Sequence, residues 1–231
     1  MGNYPKSQKG GTLVLLSGAD ILVKTLIEQG CDTVFGYPGG QILNVYDSLY
    51  IHQDQINHIL AAHEQGAAHA ADGYARTTGK VGVVISPSGP GATNLVTGIA
   101  TANMDSIPMV CIMGQVIKEL LGKDGFQEAH MTSVCQSISK HTYSVTDAAQ
   151  LPDIVEEAFF VAQSGRPGPV VIDIPKDVFT QDVQVPYNTG TVRNRIQMKY
   201  KPCQVNKEQV MKVANYIKEA EKPMMVVGGG V

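Results

Sequence analysis

The chain has 231 residues, 43% of them hydrophobic and 17% charged, with a formal net charge of -3, which suits one soluble globular domain and part of a second. That charge argues against a nucleic-acid surface or an anionic-membrane surface, and no apolar run reaches the roughly 20 residues that a membrane span needs. Four scattered cysteines, Cys31, Cys111, Cys135 and Cys203, form no CxxC pair; neither a zinc site nor a disulfide framework is expected, and a cytoplasmic setting is.

The opening "MGNYPKSQKGG" lacks the apolar core of a signal peptide. From Ser17, "SGADILVKTLIEQG" has a serine cap, an apolar stripe and a closing Gly30, which predicts an amphipathic helix. Short runs rich in β-branched residues follow: "TVF" (33–35), "NHILAA" (57–62), "VGVVIS" (81–86), "PMVCIM" (108–113) and "PVVIDI" (169–174). Helix-length segments separate most of them, namely Gln65–Thr78, Ala92–Asn103 and Leu151–Gln163, and a further strand is expected near Lys140–Val145. Near-continuous apolar strands alternating with helices predict an α/β fold, a parallel sheet with helices on both faces. Residues 180–206 lose periodicity and gather Pro, Asn, Gln and Tyr. The expected division is therefore a domain at 1–179, a linker at 180–206, and at 207–231 the first helix and strand of a second, truncated α/β domain.

In an open parallel sheet, ligands bind beyond the carboxyl ends of the strands. The unusual segments fall there: "GYPGG" (36–40), "HEQG" (63–66), "SPSGPGATN" (86–94) and "GQV" (114–116). Each also has a plain reading, because Pro and Gly punctuate ordinary turns. "SGPGATN" lacks the lysine of a phosphate loop, and His63 and His69 do not share the helical face that a metal pair needs. Glu64 alone reads first as a helix cap; its place after an apolar strand, among glycine loops, marks it as a candidate functional carboxylate.

The segments "FGYPGG", "HEQGAAHAADGYARTTGKVGV", "SGPGATNLVTGIATANMDSIP", "GQV", "GKDGFQEA" and "GRPGPVVIDIPKDV", in this order, resemble the catalytic large subunit of the acetolactate synthases (acetohydroxyacid synthases), within the thiamine-diphosphate-dependent enzymes. The resemblance runs from about Gly18 to Val231 and covers that family's pyrimidine-binding domain and the opening of its central domain. It implies condensation of pyruvate with a second 2-oxo acid, pyruvate or 2-oxobutanoate, with loss of CO2, in branched-chain amino-acid synthesis. Glu64 matches the family glutamate that hydrogen-bonds the cofactor's aminopyrimidine N1′. Tyr37, Pro38, Pro90 and Asn94 would line the aminopyrimidine, Gln127 and Phe126 would stand near the reacting carbon, and Arg166 would contact a structural FAD. The resemblance also implies Mg2+, held by a GDG…N segment that this chain does not contain, a homodimer or homotetramer, and a regulatory small subunit.

Departures from the family pattern gather at the substrate channel, where Gln41, Ile117 and Gly125 replace common Ala, Pro and Ala and sit beside Phe126. Pro87 and His130 replace a common Thr and an acidic residue. Channel shape and inhibitor sensitivity are expected to differ, the proton relay not. By length the chain is expected to be an N-terminal portion, inactive alone. Two alternatives stay open: another pyruvate-oxidase-like carboligase or decarboxylase, and a non-catalytic truncated paralogue.

Overall fold

In the computed structural model, which describes residues 13–186 and 205–228, the apolar runs become a six-stranded sheet. Its strands are β2 (Thr33–Gly36), β3 (Asn57–Leu60), β4 (Gly82–Ser86), β5 (Met109–Gln115), β6 (His141–Ser144) and β7 (Pro169–Pro175), in the order β3-β2-β4-β5-β7-β6. Every pairing within it is parallel. Successive side chains on a strand face opposite ways, and the sheet is apolar on both faces. Val83, Ile85, Val110, Ile112, Val170 and Ile172 pack into one core with helices α1 (Gly18–Glu28), α2 (Leu43–Ile51) and α7 (Leu151–Gln163). Val84, Cys111, Met113 and Val171 pack into a second core with α3 (Glu64–Thr78), α5 (Val96–Asp105) and α6 (Met131–Cys135). This is the expected α/β architecture, and it explains why β4, β5 and β7 are buried along their whole length.

Helix α1 begins where its serine predicts, with Ser17 Oγ accepting the Asp20 amide. The single helix expected over 92–103 is broken into α4 (Pro90–Thr93), with Pro90 in its first turn, and α5. Glu64, expected as a helix cap just ahead of a helix over 65–78, is instead the first residue of α3, behind a His63 cap whose Nδ1 accepts the Gln65 amide at 3.0 Å.

Two stretches differ from expectation. Asp182–Pro186, read as the start of a linker, form strand β8, antiparallel to an unanticipated β1 (Leu13–Ser17); the rest of the expected linker up to residue 204, with Cys203, lies outside the described residues. Beyond it, α9 (Lys207–Glu219) is capped by Asn206 and buries no residue, and residues 222–228 form no strand. A strand exists through its pairing, and among the described residues "KPMMVVG" has no neighbour to pair with; Met224 and Val226 are exposed. A short helix, α8 (Lys176–Phe179), follows β7.

Candidate active site

The carboxyl ends of β2, β4 and β5 bring the glycine loops together as the topology requires. Pro87 stands between two of them: a β-carbon on Gly39 would lie 2.5 Å from its Cβ, and one on Gly91 would lie 2.5 Å from its Cγ. The same Gly91 carbon would come within 3.1 Å of Glu64 Oε1, so a residue without a side chain keeps that oxygen approachable.

Glu64 is 9% exposed. Asn94 Nδ2 donates to its Oε2 at 2.8 Å, while no hydrogen bond among the described residues engages Oε1. Glu64 stands in the first turn of α3, next to backbone N–H groups that have no partner within the helix. Tyr46 lies nearby on α2, its ring edge-on to His58 with centroids 4.8 Å apart. Burial first, and then the Glu64 charge, push the Tyr46 phenol well above its ordinary range, so it stays a neutral hydroxyl.

The opposite wall is the segment after β5. Gly89 has φ +58°, and a β-carbon there would lie within 2.9 Å of the Gln127 backbone, so the loop and Gln127 touch main chain to main chain. Gln127 itself has φ +62°, uncommon for a residue with a side chain. Glu128 accepts the amides of Gly122 and Gly125, which pulls its carboxyl below the usual carboxylate range. Underneath, the buried Gln115 donates from Nε2 to Ala129 O at 2.8 Å and to Asp173 Oδ2 at 3.2 Å, while its Oε1 accepts the Val116 amide. Burial pushes the Asp173 carboxyl up to about 6, against the lowering influence of Gln115 and His130. Asp173 Oδ1, Ser86 Oγ, Ser88 Oγ and Gln41 Oε1 are buried without a hydrogen-bond partner among the described residues.

The structure thus gathers Glu64, Pro90, Asn94 and Gln127 at the carboxyl edge of the sheet. Tyr37 and Pro38 lie in the loop that carries Gly39, Tyr37 being exposed. Gln41 packs its carbonyl against Gly114, and Ile117 is the second residue past β5. Gly125 lies over Leu120, and Phe126 is 86% exposed. Arg166 is elsewhere: it precedes β7 and donates to Ser106 Oγ and to the carbonyls of Asn103 and Met104 at the end of α5. It borders an open cavity of about 530 Å³ with Lys140 and Ser164, at the amino ends of the strands. Sequence reasoning missed Tyr46 and Asp173, and marked Gln115 only as part of "GQV". Asp173 had a signal, one acidic residue inside the apolar run "PVVIDI", whereas nothing local marks Tyr46. Among the described residues no group of three or more His, Cys, Asp or Glu could hold a metal ion, and no helix is long and apolar enough to cross a membrane.

Residues 16–136 match the family described as "Thiamine pyrophosphate enzyme, N-terminal TPP binding domain". The chain is 50% identical, over 93% of its length, to the acetolactate synthase of Arthrospira platensis. It is 46% identical, over 94% of its length, to the acetolactate synthase isozyme 3 large subunit of Escherichia coli K12. It is also 46% identical, over 92% of its length, to the chloroplastic acetolactate synthase of Arabidopsis thaliana. The aligned parts cover 37%, 37% and 32% of those relatives, so the chain spans about a third of the length of the curated relatives it matches.

Proposed function

This chain belongs to the thiamine pyrophosphate enzymes, through their N-terminal TPP binding domain, and from that premise we propose that it is the N-terminal part of an acetolactate synthase, joining pyruvate to a second 2-oxo acid with loss of CO2. The observation that carries the reading is the Glu64 carboxylate, held through Oε2 by Asn94 and open at Oε1 beside Gly91. The residues fit the cofactor: a buried carboxylate with one oxygen held by Asn94 and the other left open beside Gly91 is what a protonated ring nitrogen needs as partner.

When bound, thiamine diphosphate supplies the carbanion-stabilising chemistry, and the protein supplies orientation and electrostatics. Glu64 Oε1 would hold a proton at the aminopyrimidine N1′. Asn94 fixes the carboxylate's rotation through Oε2, so the proton would be shared along one direction. Pro90, Tyr37 and Pro38 would bound the pyrimidine ring. Gln127 and Phe126 would stand near the reacting carbon, with Gln41, Ile117 and Gly125 shaping the route of the 2-oxo acids.

Arg166 spends Nε and Nη2 on α5 and Ser106, which leaves Nη1 for FAD. We assign no residue of this chain to Mg2+. The proposal extends to a cytoplasmic homo-oligomer with a regulatory small subunit, in line with the "large subunit" naming of the Escherichia coli relative. The test is product analysis of the purified full-length enzyme supplied with pyruvate and thiamine diphosphate. Acetolactate with one CO2 per condensation is expected, and acetaldehyde or acetyl phosphate as sole product would refute the assignment.

A further inference from the structure

We propose that Asp173 is a positioning residue for this site: through the Gln115 side chain it holds Gln127–Ala129 against Gly89, and so sets where Gln127 stands. The inference rests on the proposed function only in its last link, the service of Gln127 to the reaction. The physical connection is continuous from β7 to Glu64. Asp173 Oδ2 takes one Nε2 hydrogen of Gln115 and the Ala129 carbonyl takes the other. Two residues before Ala129, the Gln127 backbone lies on Gly89, which opens the helix turn whose C-cap, Asn94, grips Glu64.

The chemistry of Gln115 explains why a carboxylate belongs at 173. Its amide could turn over and present oxygen where nitrogen now stands. The Val116 amide on one side and an acceptor-only carboxylate on the other both demand the orientation that sends Nε2 to Ala129. A buried carboxylate with Oδ1 unpartnered is a costly way to fill space, and an apolar residue would fill it better; as a fixed acceptor it has a purpose. Protonation turns Asp173 into a weaker acceptor and a donor, which loosens that choice. The groups able to alter its charge state are His130, in the segment it helps to hold, and Cys135 of α6. The Cys135 thiol is pushed up to about 11 by burial and does not titrate near neutrality.

Amide hydrogen exchange of the chain, corrected for intrinsic rates and read between pH 5 and 7.5, tests the coupling. In the unmodified chain, protection of the Glu128 and Met131 amides, which bond to Gly125 O and Ala129 O, should fall severalfold below about pH 6. In Asp173→Asn that step should vanish, and in Gln115→Met protection should be low at every pH. Should either variant fail to fold, the other reads the same coupling. An unmodified chain without the step, or an Asp173→Asn chain that keeps it, overturns the proposal, the second result assigning the step to His130. In the full-length enzyme, Asp173→Asn should lower kcat roughly tenfold with little change in KM, since misplacement of about 1 Å costs up to 10²-fold; unchanged kcat beside a lost exchange step would overturn the link to the reaction. If the unmodified enzyme makes no acetolactate, the proposed function fails while the exchange result still decides the coupling.

Discussion

Glu64 and Asp173 are both buried carboxylates near the same sheet edge, yet they are partnered differently. Glu64 accepts from Asn94 at Oε2 and stands in the first turn of α3. Asp173 has one shared donor and an unpartnered oxygen, and its carboxyl is raised to about 6. Its folded-state pKa exceeds the unfolded value near 3.9, so the folded state binds the proton more tightly and ionisation opposes folding. That cost is absent below about pH 4, grows between about pH 4 and 6, and reaches about 3 kcal/mol above pH 6. Asp173→Asn, which cannot ionise, is therefore expected to melt higher than the unmodified chain at pH 7.5, with the gap closing towards pH 4. Thermal unfolding across that range checks it, and a gap independent of pH would show that the folded state does not raise the Asp173 carboxyl above its unfolded value. Position 91 gives a second expectation at this scale. Gly91→Ala puts a methyl against Pro87 and within reach of Glu64 Oε1, so cofactor affinity should fall in calorimetric titration of the full-length enzyme.

At the scale of elements, the helices that carry the site are held at short range by missing side chains. A β-carbon on Gly98 would stand 2.4 Å from Ala68 Cβ, so α5 and α3 approach as closely as they do because position 98 is bare. Gly98→Ala overpacks that contact and should cost about 1–3 kcal/mol. Gly73, in the middle of α3, meets nothing within 4 Å, so Gly73→Ala should instead stabilise by about 0.5–1 kcal/mol through helix propensity. Denaturant melts of both variants test the pair of signs together. The elements that sequence reveals are those whose burial is written locally: β4, β5 and β7 are apolar at each position because both faces are covered, and α1 announces itself with Ser17. The elements it hides depend on distant partners. "LVLLS" and "DVQVP" become β1 and β8 only through pairing across the chain, α2 starts at Leu43 behind Ile42, which offers no side-chain cap, and "KPMMVVG" has strand composition without a neighbour among the described residues. At the site, Glu64, Asn94 and Gln127 were legible through motif order. The Gln115–Asp173 bond spans 58 positions, and no local pattern encodes it.

Over the whole molecule, the sheet separates two edges with different work. Its carboxyl edge gathers Glu64, Asn94 and Gln127; its amino edge holds Lys140 and Arg166, whose donors are largely spent on the carbonyl ends of α7 and α5. If Arg166 keeps Nη1 for FAD, Arg166→Ala should lower the flavin absorbance of the purified full-length enzyme while the C2 chemistry at the other edge keeps its pH profile. Proton sharing between Glu64 and the aminopyrimidine N1′ is the step on which the functional account turns. It is tested most directly by hydrogen–deuterium exchange at C2 of thiamine diphosphate bound to the full-length enzyme, with and without Glu64→Gln. Glutamine retains an acceptor for Asn94 and loses only the ionisable group. The account predicts exchange slowed by about 10²–10⁴-fold with an unchanged melting temperature. Unchanged exchange with a lowered melting temperature would make Glu64 only a first-turn acid of α3, worth about 0.3–1 kcal/mol through the helix dipole, and would contradict it.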